Sequence, residues 1–180
     1  MPRYRRSYGR QLIAVAIVVL LLVARWQGWL PDNAPTGSPT GGVAWPSGEY
    51  EVERVVDGDT LLLRNHQRVR LQGIDCPEIA HDDHPDVDRW GPEATTFTQE
   101  FLRDAHGRVR LETEGEARDH YDRWLAFAWD DDRLLNEELV RAGLARAKLG
   151  YDYGQAKKDR LRAAQLEAQR AGRGLWSNSK

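Results

Sequence analysis

The chain has 180 residues, of which 41% are apolar and 30% charged, and a formal net charge of −2. From residue 48 onward it is long enough, and regular enough in its apolar spacing, for one domain with a real core, which excludes a disordered chain; the single cysteine, Cys76, excludes an internal disulfide. Near-neutrality hides a polarity: residues 31–140 carry 11 arginines, no lysine and 25 acids, whereas residues 141–180 carry 10 basic residues and 3 acids. That pattern argues against a generic nucleic-acid binder, which is basic over its whole binding face.

Residues 1–10 form a basic N-terminus containing Arg3, Arg5, Arg6 and Arg10. Residues 12–24 follow as an unbroken apolar run. The run alone is short of the roughly 20 residues that span a bilayer. It extends over residues 11–30 if Arg25 snorkels outward and Trp26 and Trp29 sit in the interface. No small-x-small cleavage site follows, because Leu22 stands where a small residue is wanted. The expectation is an uncleaved transmembrane signal anchor, with a cleaved signal as the alternative. The basic flank faces the cytoplasm, so the domain is expected on the periplasmic side of the inner membrane. Residues 31–47, rich in Pro, Gly, Ser and Thr, read as a linker.

In the domain, residues 50–56, 60–63 and 67–74 read as three strands in a meander, joined by turns at Asp57-Gly58 and Asn65-His66. Residues 75–90 are a polar, acidic loop. Pro92 opens a helix whose apolar stripe is Ala94, Phe97, Phe101 and Ala105, and Gly107 ends it. Val109 and Leu111 mark a fourth strand. Leu125, Phe127 and Trp129 alternate as a fifth, closed by a turn at 130–132. Asn136 is placed to cap a short helix with Gly143 at its end. A long helix from about Tyr153 carries Leu161, Ala164, Ala168 and Ala171 as its buried stripe, stopped by Gly172 and Gly174. This order, βββ-α-ββ-α-α, predicts an α+β, mainly β fold: a five-stranded barrel of oligonucleotide-binding (OB-fold) type with three helices, over residues 48–178.

Five residues concentrate the chemistry. Asp59 sits just past a turn and Asp75 ends the strand that follows, so adjacent antiparallel strands can bring the two carboxylates together as a hard-cation site. Taken alone, Asp-Gly-Asp is usually a hairpin turn. Glu78 lies beyond Pro77, which fixes the loop, within reach of a water as general base; its bland reading is a solvated glutamate. Arg70 points away from the apolar face of its strand, and Arg123 sits in a strand beginning near His120. Guanidiniums there can clamp a phosphate, although singly each is more often a surface ion pair. Three carboxylates and two arginines together fit metal-assisted attack on a phosphodiester.

Other candidates have simpler explanations. His81 and His84 sit in an acidic loop. Cys76 lacks a histidine to activate it. Trp129 packs by default, whereas Trp90 and Trp124 stay open as base-stacking residues.

The words VVDGDT (55–60), RLQGIDCPE (70–78), WGPEA (90–94), YDRWLAF (121–127) and LLNEELVRAGLA (134–145) resemble those of the staphylococcal nuclease (thermonuclease) family in order and spacing. The resemblance covers nearly the whole domain. It implies Ca2+-dependent hydrolysis of DNA and RNA, single strands favoured, to 3′-phosphate products. It implies that Asp59, Asp75 and the main-chain oxygen of Cys76 bind the metal. Glu78 corresponds to the proposed general base, or to a water-positioning residue. Arg70 and Arg123 correspond to the arginines that bind the scissile phosphate. Tyr121 corresponds to a phosphate-pocket tyrosine, and Tyr151 to a second, with Leu149 competing for the neighbouring place. Two departures stand out: Asp122 where the family has glycine, and an acidic loop after Glu78. Asp122 either weakens anion binding at its neighbour Arg123 or faces solvent, and the acidic loop implies a weaker, salt-sensitive enzyme. A silent barrel that binds nucleic acid or a protein is the alternative, and retention of all five residues speaks against it.

Overall fold

The computed structural model describes residues 47–79 and 88–177. The expected basic terminus, membrane anchor and linker, and the loop with His81 and His84, lie outside these residues. Among the described residues no helix is long and apolar enough to cross a membrane.

Three antiparallel strands open the domain: β1 (Gly48–Asp57), β2 (Thr60–Leu63) and β3 (Arg68–Leu71). β1 is long and irregular. Its first half pairs with β5 (Arg108–Glu112) and its second half with β2, with register shifts between Val52 and Arg54 and between Val55 and Asp57. Such irregularities bend a strand so that it serves both sides of a barrel. β6 (Trp124–Asp130) pairs antiparallel with β5, and its first half pairs parallel with β3, Val69 opposite Trp124. That last pairing closes the sheet on itself and makes a five-stranded mixed barrel without open edges.

Three short strands escape a periodicity argument because two residues define no period. β4 (Ile74–Asp75) pairs with β8 (Arg146–Ala147), and β7 (Arg133–Leu134) folds back on β6. The predicted strand 67–74 is therefore two strands, broken at Gln72-Gly73.

The helices are α1 (Gly91–Asp104), α2 (Leu135–Arg141) and α3 (Gln155–Ala171), followed by a single 3-10 turn at Gly174–Trp176. α1 buries Ala94 and Phe101 of the expected stripe, with Ala105 buried just past its end and Phe97 packed partly buried on the core; Gly91, Thr98 and Leu102 widen that face. α3 buries Lys157, Leu161, Ala164 and Ala168, and Ala171 is exposed, not buried as expected.

The core gathers Leu61, Leu63, Val69, Leu71, Val109, Leu111, Trp124, Phe127 and Leu161. β6 is buried on both faces over much of its length, from Ala126 to Trp129. Its alternation therefore does not separate a wet face from a dry one.

Asn136 corrects a second expectation. It lies inside α2 and is fully buried, and caps nothing. Its side-chain oxygen accepts from the Ala128 N–H at 3.0 Å and its amide donates to the Gln72 carbonyl at 2.8 Å. One amide thus ties a helix to β6 and to the turn that precedes β4.

Candidate active site

β2 and β3 pair with Thr60 opposite Arg70, which places Asp59 one step beyond the arginine's partner. The ladder continues past Thr60: the Leu71 N–H donates to the Asp59 carbonyl at 2.8 Å. The chain then turns at Gln72-Gly73, where Gly73 has φ +77° and a Cβ would lie 2.9 Å from the Tyr153 hydroxyl. β4 then delivers Asp75. As a result Arg70 bridges two carboxylates: it pairs with Asp59 Oδ1, and its Nη2 donates to Asp75 Oδ1 at 2.9 Å. The two carboxylates that the sequence places together thus share one partner, Arg70.

Asp59 is held as well as paired. Only 1% of it is exposed. Its Oδ2 accepts from the Cys76 N–H at 2.7 Å, and its own N–H donates to Asp57 Oδ1 at 3.0 Å, an Asx turn. Gly58 between them lets the loop press against its neighbours: a Cβ there would lie 2.7 Å from the Ala94 Cβ and 3.0 Å from the Cys76 Cβ. The buried hydroxyl of Thr98 donates to the Gly58 carbonyl at 2.7 Å, so α1 fixes this loop from behind. Burial raises the Asp57 carboxyl above the usual aspartate range, opposed by the Thr60 hydrogen bond and by the charges of Arg70 and Arg123.

Cys76 is buried, and that burial pushes its thiol well up. A protonated, enclosed thiol is no nucleophile. Its main chain is what the site uses. Glu78 lies three residues past Asp75 and is partly buried. Its backbone is clamped by Asp88, whose N–H donates to the Glu78 carbonyl at 3.0 Å and whose carboxylate accepts from the Glu78 N–H at 3.3 Å.

Arg123 lies just before β6, not within a strand as expected, and Asp119 organises its turn. Asp119 Oδ1 accepts from the N–H groups of Tyr121 and Arg123 at 2.9 and 3.0 Å, and Oδ2 accepts from Arg123 Nε at 2.8 Å. Arg123 is held through Nε, and among the described residues no hydrogen bond uses its two terminal nitrogens. Tyr121 is 69% exposed, with the Arg123 guanidinium 5.2 Å from its ring centre. Asp122 has φ +61°, the left-handed conformation that glycine adopts freely, and its carboxylate pairs with Arg118. It serves Arg118, whose guanidinium stacks 4.0 Å from the Trp124 ring centre.

Tyr151 stands apart. It is 62% exposed, and among the described residues no hydrogen bond or ion pair joins it to the arginine–carboxylate cluster. Trp124 is 2% exposed and donates to Gln67 Oε1 at 2.8 Å, which removes it as a base-stacking residue. Trp129 packs, as expected. Trp90 is partly buried beside Arg89.

Two residues at the site escape the sequence reading. Asp119 does carry a signal, an acid four residues before an arginine in a turn. Lys148, whose Nζ lies 3.0 Å from Asp75 Oδ2, does not, because the two-residue pairing of β4 with β8 that brings it there leaves no pattern.

Similarity to known proteins points the same way. A family model described as Staphylococcal nuclease homologue matches residues 68–178. The thermonuclease of Staphylococcus intermedius is 36% identical over 171 residues, 93% of this chain and 95% of that protein. The thermonuclease of Staphylococcus hyicus is 38% identical over 132 residues, 72% of this chain and 76% of that protein. Endonuclease YncB of Bacillus subtilis is 30% identical over 132 residues, 71% of this chain and 61% of that protein. With its barrel closed by the pairing of β3 with β6, and with this similarity over most of its length, the chain belongs to the staphylococcal nuclease family.

Proposed function

We propose that this chain is a Ca2+-dependent endonuclease that hydrolyses phosphodiester bonds of DNA and RNA to 3′-phosphate products. Family membership carries the nuclease activity. The cation, the product and the residue roles are supported by the chemistry of the site. The observation that carries the reading is Arg70 bridging Asp59 and Asp75.

The residues suit a hard cation. Their donors are all oxygen: one buried carboxylate, one carboxylate 41% exposed, and the carbonyl of Cys76. Among the described residues no three His, Cys, Asp or Glu side chains cluster as ligands, so a bound ion would also need the Cys76 main-chain oxygen, water and substrate. Asp59 and Asp75 would hold the ion. When bound, it supplies positive charge to a phosphate oxygen.

The chain's own groups do the rest. Arg123, anchored through Nε, presents its terminal nitrogens to two phosphate oxygens. Arg70 gives up part of its pairing with the acids to donate to the phosphate as negative charge builds. Glu78 takes a proton from a water whose oxygen attacks phosphorus. The bond from phosphorus to the 5′-oxygen breaks, the 5′-oxygen takes a proton from solvent, and phosphate stays on the 3′ side. Tyr121 lines the phosphate approach.

Residues 11–30 are proposed to tether the enzyme to the inner membrane with its domain in the periplasm. The apolar run at 12–24 and its basic flank support this. Membrane fractionation and protease access from the periplasm test it.

For the activity, cleavage of single-stranded DNA by the full chain is followed with calcium, with chelator, and for Glu78→Gln and Arg123→Ala. Cleavage should require calcium and fall by about 100-fold or more in each variant, the scale of losing a proton-transfer or charge-stabilising group. Equal rates in all four samples would refute the proposal.

A further inference from the structure

Asp75 gives its two oxygens to two different cations. Oδ1 takes Arg70 Nη2 at 2.9 Å and Oδ2 takes Lys148 Nζ at 3.0 Å. The two partners differ in setting. Arg70 is 15% exposed and shared with buried Asp59, whereas the side chains of Lys148 and Asp75 are 43% and 41% exposed. The lysine's main chain is locked on both sides: its N–H donates to the Gly73 carbonyl at 2.8 Å, and its carbonyl accepts from the Tyr153 hydroxyl at 2.9 Å. Its neighbour Ala147 pairs with Ile74 in the β4–β8 ladder. A fixed root and a flexible stem thus deliver one ammonium to the solvent side of Asp75.

We propose that Lys148 tunes cation affinity at this site, its ammonium competing with the divalent cation for Asp75 Oδ2. The inference rests on Asp75 being a cation ligand, as in the function proposed above. A lysine ammonium is a compact point charge, and its half-exposed pair with Asp75 is weak and readily exchanged. Arg70, forked between two acids and mostly buried, is the harder partner to remove. An entering divalent cation therefore displaces Lys148 first. The displaced charge stays near, tied by its anchored main chain, and repels the ion. The affinity of the chain for the cation is set below that of the same carboxylates without the lysine.

The test is calorimetric titration of the full chain with calcium, without nucleic acid and at fixed ionic strength. Lys148→Met should bind calcium about 5- to 10-fold more tightly than the wild type, the scale of one half-exposed charge near a divalent ion. Lys148→Arg, which keeps the charge, should stay within about twofold of the wild type. Lys148→Gln gives the same tightening if the methionine variant fails to fold. Tightening in neither neutral variant, or equal tightening in Lys148→Arg, overturns the proposal. Asp75→Asn separates it from the reading beneath it. If Asp75→Asn weakens binding and neutral variants change nothing, the lysine's role fails alone. If Asp75→Asn binds as the wild type does, the cation site fails and the lysine's role with it.

Discussion

Asp119 grips Arg123 twice, at the main-chain N–H (3.0 Å) and at Nε (2.8 Å). The same carboxylate therefore shapes the turn and aims the guanidinium. The Asp119→Ala variant loses both. Its cleavage rate should fall by about 10- to 100-fold, the scale of misplacing a group that acts on the phosphate. Its circular dichroism spectrum should stay native. A steady-state rate unchanged in a folded variant would show that Arg123 needs no such anchor.

Acid should destabilise the fold. Burial raises the Asp119 carboxyl, but hydrogen bonds from Arg123 and Tyr121 and the arginine's charge outweigh it and hold it below the usual range. Glu114 is likewise opposed by burial, yet lowered overall by the Gly154 N–H and Lys157. An acid whose folded pKa is depressed contributes stability above its unfolded value, about 4, and loses it as pH falls through the folded value. Asp57, raised by burial, has the opposite sign: its protonation favours the fold. The melting temperature should drop below about pH 4, and the drop should be shallower in Asp119→Asn and in Glu114→Gln. Thermal melts across pH check both.

Asp122 looked, from sequence, like an acid beside a phosphate arginine. Its carboxylate instead pairs with Arg118, at a backbone position of φ +61°. Asp122→Gly removes an exposed pair worth about 1 kcal/mol at most and relieves the left-handed conformation. Stability should change by less than about 1 kcal/mol, and cleavage by less than about threefold. Denaturant melts and rate measurements decide it.

Asn136 is the polar pin of the barrel. Asn136→Ala strands the buried Ala128 N–H and weakens the Gln72 carbonyl's pairing, and leaves a gap. A loss of about 2–4 kcal/mol is expected in urea unfolding, with cleavage falling only as the folded fraction falls. A variant as stable as the wild type would mean that another group satisfies both.

The sequence was most informative where a residue's chemistry and its local turn coincide. Asp59 and Arg70 were legible as neighbours because the β2–β3 hairpin sets their strands side by side, whereas Asp75 reaches Arg70 from β4, past the turn at Gln72-Gly73. The barrel order was legible from strand length and turn residues. Contacts made by very short strands were not: Lys148 reaches Asp75 through β8, and nothing local announces that pairing. Asn136 was misread because its position before two acids suits a cap, whereas its side chain serves a distant strand and turn. Trp124 was left open as a base-stacking residue, and its burial and its bond to Gln67 show that it packs.

The bridge made by Arg70 is the centre of the proposed cleavage site, and Arg70→Lys tests it most directly. Lysine keeps the charge but replaces a fork that can hold two acids and a phosphate with a single point. Single-turnover cleavage of single-stranded DNA by full-length, folded Arg70→Lys with calcium should be slower than wild type by about 100-fold or more. A rate within about twofold of wild type would contradict a cleavage site built around Asp59, Arg70 and Asp75.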